Sequence, residues 1–555
     1  MKKLINLIFI LLVTSAINSV YAQPSAVKKI YKSVFKLITY SSDSMIISTT
    51  NGIFVSKDGE AITSWRPFVG ANRAIIENYK GEKYEVASIL GANEIYDIAK
   101  IKINTNSVPV KIDEVSSPLT DIWIVPASSI GMPIKGRIDK IEKFSDKYNY
   151  SLISSQATAM QIGAAVVSPK GKVIGMYNNI DLSQSCVDLN YPNKFIPSSL
   201  SLLDPVLDKT LIHIALPNNQ KDAITSLLLT ANKPKAIRLS TIKEFIDKYP
   251  TLNDGYNMLA NEYLLDKDLF KADETLKYAI QKSNNKDEAY YNYAKLIYNA
   301  LISPETESKS KELGWNFDIA ITQTEKAYNI NNKNIYKHLQ AKIIFAKGNY
   351  QDAYKLFENL TKTELRSPEI YLEMAQCLQN LNHKDDDILK LLDQSIALCD
   401  TPYTKISAPY FLARGNQFNK MGIYRKAIKD YYIYESFYIG TLSADFYYMR
   451  EQCEVKSKLW QQALQDITIA STIDPQDPTY FAEAANLLLR FRNFDEAIQA
   501  AKHAIELKSD YADAYLVLGI SQCQNKNRVE GIKNLTKAKE LGNKQVDKFI
   551  KMFSK

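Results

Sequence analysis

Histidine is scarce in this sequence. There are four, His213, His338, His383 and His503, and the first 212 residues hold none. Imidazole is the side chain best suited to proton transfer near neutral pH, so no histidine base is available in that stretch. Cysteine is also sparse: Cys186, Cys377, Cys399, Cys453 and Cys523. Their spacing gives neither a metal-ligand pattern nor a paired framework, and all five read as small buried apolar residues. There is no basic run. The 69 Lys and Arg are interleaved with 61 Asp and Glu, for a net charge of +8, which argues against nucleic acid as a main partner. Beyond the N-terminus no segment is apolar enough to span a bilayer. No metal site, cofactor or stable membrane insertion is predicted.

What is present begins with a leader-like segment. Lys2 and Lys3 precede a short apolar stretch, Leu4 to Val13, and Val20-Tyr21-Ala22 offers a cleavage site before Gln23. This pattern predicts a secretory signal over residues 1–22. The product would be exported, to the periplasm or beyond it. No cysteine lies at the cut, so lipid anchoring there is not indicated. The 555 residues suffice for more than one domain, and 46% hydrophobic content excludes wholesale disorder.

Residues 25–210 alternate short β-type runs with turns. Ser33–Tyr40, Gly52–Ser56, Glu60–Trp65, Ala74–Asn78, Asp97–Ile103, Ala164–Ser168 and Lys172–Tyr177 are rich in Val, Ile and aromatics. Lys57-Asp58-Gly59 and Pro169-Lys170-Gly171 mark turns between them. Such spacing predicts an all-β barrel or sandwich.

Four segments then carry a resemblance. NGIFVSKDGEAITSWRPFVGA (Asn51–Ala71) resembles the part of HtrA-type trypsin-like serine proteases that holds the catalytic His. DIAKIKI (Asp97–Ile103) resembles the part that holds the catalytic Asp. MQIGAAVVSPKGKVIGM (Met160–Met176) resembles the nucleophile segment, and YPNKFIPSSL (Tyr191–Leu200) the segment that closes the second barrel. The resemblance implies two six-stranded barrels side by side over residues 25–210.

It also implies a degenerate triad. Arg66 falls at the His position, Asp97 keeps the Asp position, and Ile162 falls at the Ser position, with Gly163 following in register. Met160 replaces a glycine that helps shape the oxyanion hole. Isoleucine has no nucleophilic atom, and arginine stays protonated at any usable pH. No catalytic residue is therefore expected, and the domain reads as a pseudoprotease. A buried Asp97 without imidazole needs another partner, and an Arg66–Asp97 ion pair is the expected replacement.

After residue 235, Gly and Pro thin out and Ala, Leu and Tyr recur with helical period. Eight units start near 253, 287, 334, 368, 408, 444, 478 and 512, most of them 34 residues apart. The region resembles tetratricopeptide repeats. Small residues recur at the helix contacts, among them Ala260, Ala341, Ala375, Gly415, Ala485 and Gly519. Bulky partners such as Phe357 and Tyr431 sit beside them. Residues 211–252 read as a linker with degenerate capping helices, and Ala300–Trp315 as an inserted loop or short helix. The resulting fold is an N-terminal all-β double barrel plus a C-terminal all-α superhelix over 253–555.

The resemblance implies a concave groove lined by Asn257, Asn261, Lys295, His338, Lys342, Gln376, Asn416, Gln452 and Asn486. Amides there can bond a peptide backbone without choosing its sequence. The leading expectation is an exported scaffold that binds proteins or peptides. The alternatives are a serine-type peptidase with a non-standard centre, or a regulatory partner of an active HtrA-type protease.

Overall fold

The computed structural model describes residues 25–114, 117–145, 147–180 and 183–554. The signal-like segment lies outside them. The chain divides into two compact units, at residues 296 and 297.

In the first unit, β1 (Val34–Tyr40), β2 (Ile46–Phe54), β3 (Glu60–Thr63), β4 (Arg73–Glu77), β5 (Lys83–Asn93) and β6 (Ile98–Ile103) close one barrel in the order β1-β2-β3-β6-β5-β4. A second barrel holds β7 (Asp121–Val125), β8 (Ile134–Phe144), β9 (Tyr148–Ser155), β10 (Ala165–Val167), β11 (Val173–Ile180) and β12 (Ser183–Val187). It repeats that order as β7-β8-β9-β12-β11-β10. All pairings are antiparallel. This is the trypsin-like double barrel expected from the sequence.

The period-2 alternation of strands sorts the side chains. Phe35, Leu37, Ala61, Ile101 and Ile103 fill the first barrel. Their neighbours Val34, Ile62 and Ile98 turn outward and pack with Val125, Val167, Met176 and Val187 of the second. Gly52 is required because a Cβ there would lie 2.3 Å from the Phe35 ring. The two predicted turn glycines, Gly59 and Gly171, have φ of +89° and +77°, a region that favours glycine.

Helices follow: α1 (Gln220–Leu229), α2 (Lys235–Lys248), α3 (Asn253–Leu265), α4 (Leu269–Lys282) and α5 (Lys286–Ile302), which crosses the division. The second unit continues with α6 (Glu307–Glu312), α7 (Phe317–Ile330), α8 (Asn334–Ala346), α9 (Tyr350–Leu360), α10 (Pro368–Asn380), α11 (Asp385–Ala397) and α12 (Ala408–Lys420). It ends with α13 (Tyr424–Ser436), α14 (Ala444–Lys456), α15 (Trp460–Ile473), α16 (Pro478–Arg490), α17 (Phe494–Leu507), α18 (Ala512–Gln524), α19 (Arg528–Glu540) and α20 (Val546–Phe553).

The helices at Asn253, Lys286, Asn334, Pro368, Ala408, Ala444, Pro478 and Ala512 start within one residue of the predicted units. The insertion forms α6. The small contact residues are buried: Ala341, Ala375 and Ala485 are fully enclosed. At Gly519 a Cβ would lie 2.8 Å from the Gly531 carbonyl oxygen, so α18 and α19 meet backbone to backbone. The repeats also share a turn. Residues 267, 348, 382, 422, 458, 492 and 526, each two past the end of a first helix, have positive φ. Only Gly348 and Gly422 are glycines. The five cysteines are free thiols. Cys399 and Cys523 are only half-buried, contrary to expectation, because they lie beyond α11 and in the last turn of α18.

Candidate functional site

Arg66, Asp97 and Ile162 line one cavity of about 450 Å³, together with Ser48, Thr50, Ser64, Met160 and others. The β3–β6 register sets up the first wall, pairing Thr63 with Ala99. Trp65 and Phe68 are fully buried, with ring centroids 6.0 Å apart. Anchoring both inward turns the intervening Arg66 side chain out, and it is exposed.

Asp97 is 1% exposed and has φ of +46°, a left-handed conformation that aspartate tolerates better than most residues. Its Oδ2 accepts from the Ser64 hydroxyl at 2.5 Å, and its Oδ1 from the Arg66 main-chain N–H at 2.7 Å. The expected side-chain ion pair is therefore corrected. Among the described residues no ion pair involves the Arg66 guanidinium, and Arg66 serves Asp97 through its backbone.

The opposite wall is a turn of 3-10 helix at Ala159–Gln161, closed by a Thr158–Gln161 capping box. The main-chain donors of Met160, Ile162 and Gly163 are already used. Met160 N–H bonds Thr158 Oγ1 at 3.3 Å, Ile162 N–H bonds the Ala159 carbonyl at 3.2 Å, and Gly163 N–H bonds the Tyr177 carbonyl at 2.9 Å. A site that stabilises an oxyanion needs such donors free and aimed at the reacting oxygen.

Asn51 ties this turn to the first barrel. Its Nδ2 donates to the carbonyls of Met160 and Ile162 at 3.1 and 2.9 Å, and its Oδ1 accepts from Ala127 N–H at 2.8 Å. Gly163 must be glycine there, since a Cβ would lie 2.1 Å from the Asn51 carbonyl oxygen. Sequence reading missed Asn51 and Ser64. The Thr158-x-x-Gln161 spacing was a visible signal for the turn.

A hydroxyl and an imidazole do meet, but outside this cavity. His213 Nε2 lies 2.6 Å from Glu244 Oε2, and its Nδ1 lies 3.1 Å from Ser240 Oγ. Ser240 sits inside α2, and its hydroxyl also bonds the Ile237 carbonyl at 3.0 Å. Main-chain N–H groups within a helix are consumed by the helix, so the Ser240 N–H is not available as an oxyanion donor. The trio pins α2 to the segment that leaves the barrels.

The predicted groove residues separate into two groups. His338, Lys342 and Gln376 converge at a second cavity of about 270 Å³, which Lys342 and Gln376 line. His338 Nε2 meets Glu373 Oε2 at 2.7 Å. Lys342 Nζ lies 3.1 Å from Glu369 and 3.4 Å from Glu373. Burial alone would lower the Lys342 pKa, but the two carboxylates outweigh it and hold it above the ordinary value. Sequence reading missed these two glutamates, although their i,i+4 spacing matches that of His338 and Lys342.

The others stand apart. Asn257 is half-buried on α3, and Asn261 and Lys295 are exposed on α3 and α5. Asn416 Oδ1 accepts from the Tyr431 hydroxyl at 3.0 Å. Gln452 donates to Glu451 at 2.7 Å, and Asn486 is exposed.

No protein-family model matches this sequence, and no curated protein matches it. Among solved structures the chain is similar to the Rv3671c protease from M. tuberculosis in its active form, at 12% identity and a TM-score of 0.28. The match covers 32% of this chain and 85% of that one. At that identity and score the likeness says nothing of activity.

Proposed function

We propose that this chain is an exported, non-hydrolytic scaffold. Its trypsin-like barrels keep a cleft without chemistry, and a tetratricopeptide-type array recruits a protein or peptide. The observation that carries this reading is the make-up of the cleft around Asp97. Acyl transfer by a serine protease needs an attacking oxygen, a base and free oxyanion donors. Ile162 offers no nucleophile, and Arg66 cannot accept a proton. The N–H groups of Met160, Ile162 and Gly163 are all bonded internally. The Ser240–His213–Glu244 trio is a weak substitute, since the Ser240 N–H is spent within α2 and its hydroxyl already bonds the Ile237 carbonyl.

The binding half rests on the regular helix starts and on polar side chains of the first helices, with Asn261, Gln376, Asn416 and Asn486 exposed. Export rests on the Lys2-Lys3 start and the apolar stretch after it.

A fluorophosphonate probe, applied to the full chain beside an active trypsin-like protease, tests the catalytic half. No adduct is expected on any serine, Ser64 and Ser240 included. A stoichiometric adduct would overturn the reading. For the binding half, photo-crosslinkers at Gln376 and Asn416 should capture members of a random peptide pool, and excess unlabelled peptide should compete. Failure at both positions would count against the groove.

A further inference from the structure

We propose that His338, Glu369 and Glu373 form a site for a divalent transition-metal ion, with zinc as the type case. The ligand atoms come from two helices, His338 from α8 and the i,i+4 pair Glu369 and Glu373 from one face of α10. One nitrogen and two carboxylate oxygens lie within 4.8 Å of one another. Imidazole with carboxylates is a donor set that zinc accepts. Bonds of about 2.1 Å at tetrahedral angles put donors roughly 3.4 Å apart. The His338–Glu373 separation of 2.7 Å must open slightly, a change within reach of side-chain rotation.

Two further features favour a cation here. His338 and Glu373 have side chains only 13% and 12% exposed, so the imidazole–carboxylate pair is shielded from competing water. The adjoining cavity of about 270 Å³ reaches both glutamates and leaves room for a fourth ligand. The position between the carboxylates is already held by a positive charge, the Lys342 ammonium. Lysine and metal ion are alternative occupants. The ammonium neutralises the carboxylates when no metal is bound, and its flexible four-carbon stem lets it swing aside when one is. The site therefore has a built-in competitor, and its removal must tighten metal binding.

The test uses the full chain, treated with chelator and titrated with Zn2+ by calorimetry and with Co2+ by visible absorption. One equivalent should bind, with a Co2+ spectrum of low coordination number. His338→Ala and Glu373→Gln should each weaken binding at least tenfold. Lys342→Met should tighten it by a similar factor. Circular dichroism of each variant, compared with the parent chain, establishes that a lost site is not a lost fold. Absence of Zn2+ binding by the parent chain would overturn the proposal. So would unchanged affinity in folded His338→Ala, which would place the ion at another histidine, or weaker binding in Lys342→Met.

Discussion

The Ser64 hydroxyl donates to Asp97 Oδ2 at 2.5 Å, and both residues are 1% exposed. With the Arg66 N–H on the other oxygen, each carboxylate oxygen of Asp97 has a hydrogen-bond donor. A buried carboxylate left without partners costs several kcal/mol. Its persistence beside an outward-turned arginine is explained by these two donors, one a hydroxyl and one main chain. Asp97 is thereby a structural residue that fixes the β3-to-turn corner against the start of β6.

Ser64→Ala removes one of the two donors and leaves Oδ2 enclosed. The expected loss is about 1–3 kcal/mol of stability, read as a lower urea midpoint with an unchanged slope. Ser64→Thr, which keeps the hydroxyl, should lose less. If Ser64→Ala proves neutral, the carboxylate has another partner and its structural role falls.

Much of this was legible in the sequence because it is local. β1, β4 and β6 carry period-2 apolar alternation, and the repeat starts follow from small residues recurring at close helix contacts. β8 was not legible. Its run IKGRIDKIEKF buries only Ile138 and Phe144, so the charged exposed positions mask the pattern. β12, SQSCV, buries Ser185 completely and reads as a polar turn. In the cleft, the register of Arg66 and Ile162 was fixed by Thr63, Gly70-Ala71 and Gly163. Side-chain direction was not. The pairing of Arg66 with Asp97 looked favourable by charge alone, whereas Trp65 and Phe68 decide where the arginine points. Asn51 was invisible because its partners lie more than 70 residues away.

The shared turn after each first helix gives a second prediction. Lys458, Arg492 and Lys526 have φ of 61°, 63° and 64° and are exposed. Arg492 N–H bonds the Leu489 carbonyl, and Asn493 N–H bonds the Leu488 carbonyl, a helix stop that favours glycine. A side chain in this conformation costs about 1–2 kcal/mol, against about 0.5–1 kcal/mol of extra unfolded-state entropy for glycine. Each change to glycine should therefore stabilise, by up to about 1 kcal/mol. Gly348→Ala, at φ of +92°, should destabilise by a similar amount. Denaturant melts of the four variants check the signs.

Glu451 on α14 predicts a pH dependence. It is fully buried, and one of its oxygens has no hydrogen-bond partner. Burial, and then the Glu483 carboxylate, push its pKa up to about 8 from the ordinary 4.5. The folded state therefore holds a proton that the unfolded chain has released. Stability should fall as pH rises from about 4.5 to about 8 and level off above. Burial raises Glu454 and Asp466 in the same direction. Glu451→Gln removes one titrating group, so its stability profile over this window should be flatter and its stability at pH 8 higher. A profile parallel to that of the parent chain would show that Glu451 does not contribute.

On the proposed non-hydrolytic reading, the last prediction separates two obstacles in the cleft. If the missing side chains were the whole obstacle, Arg66→His with Ile162→Ser would supply base and nucleophile beside Asp97 and restore reactivity. The closed turn argues otherwise, because Met160 and Ile162 N–H groups bond Thr158 Oγ1 and the Ala159 carbonyl. Removing one oxyanion donor costs about 10²–10³ in rate, and here the Met160 and Ile162 donors are both engaged. The double variant should therefore remain unlabelled by fluorophosphonate under conditions that saturate an active trypsin-like protease. Adding Met160→Gly and Thr158→Ala removes the capping hydroxyl and frees the backbone to re-form. Labelling should rise measurably only in the quadruple variant. Labelling of the double variant at rates near those of the active control would show that the turn opens on its own and that it is no obstacle to reaction.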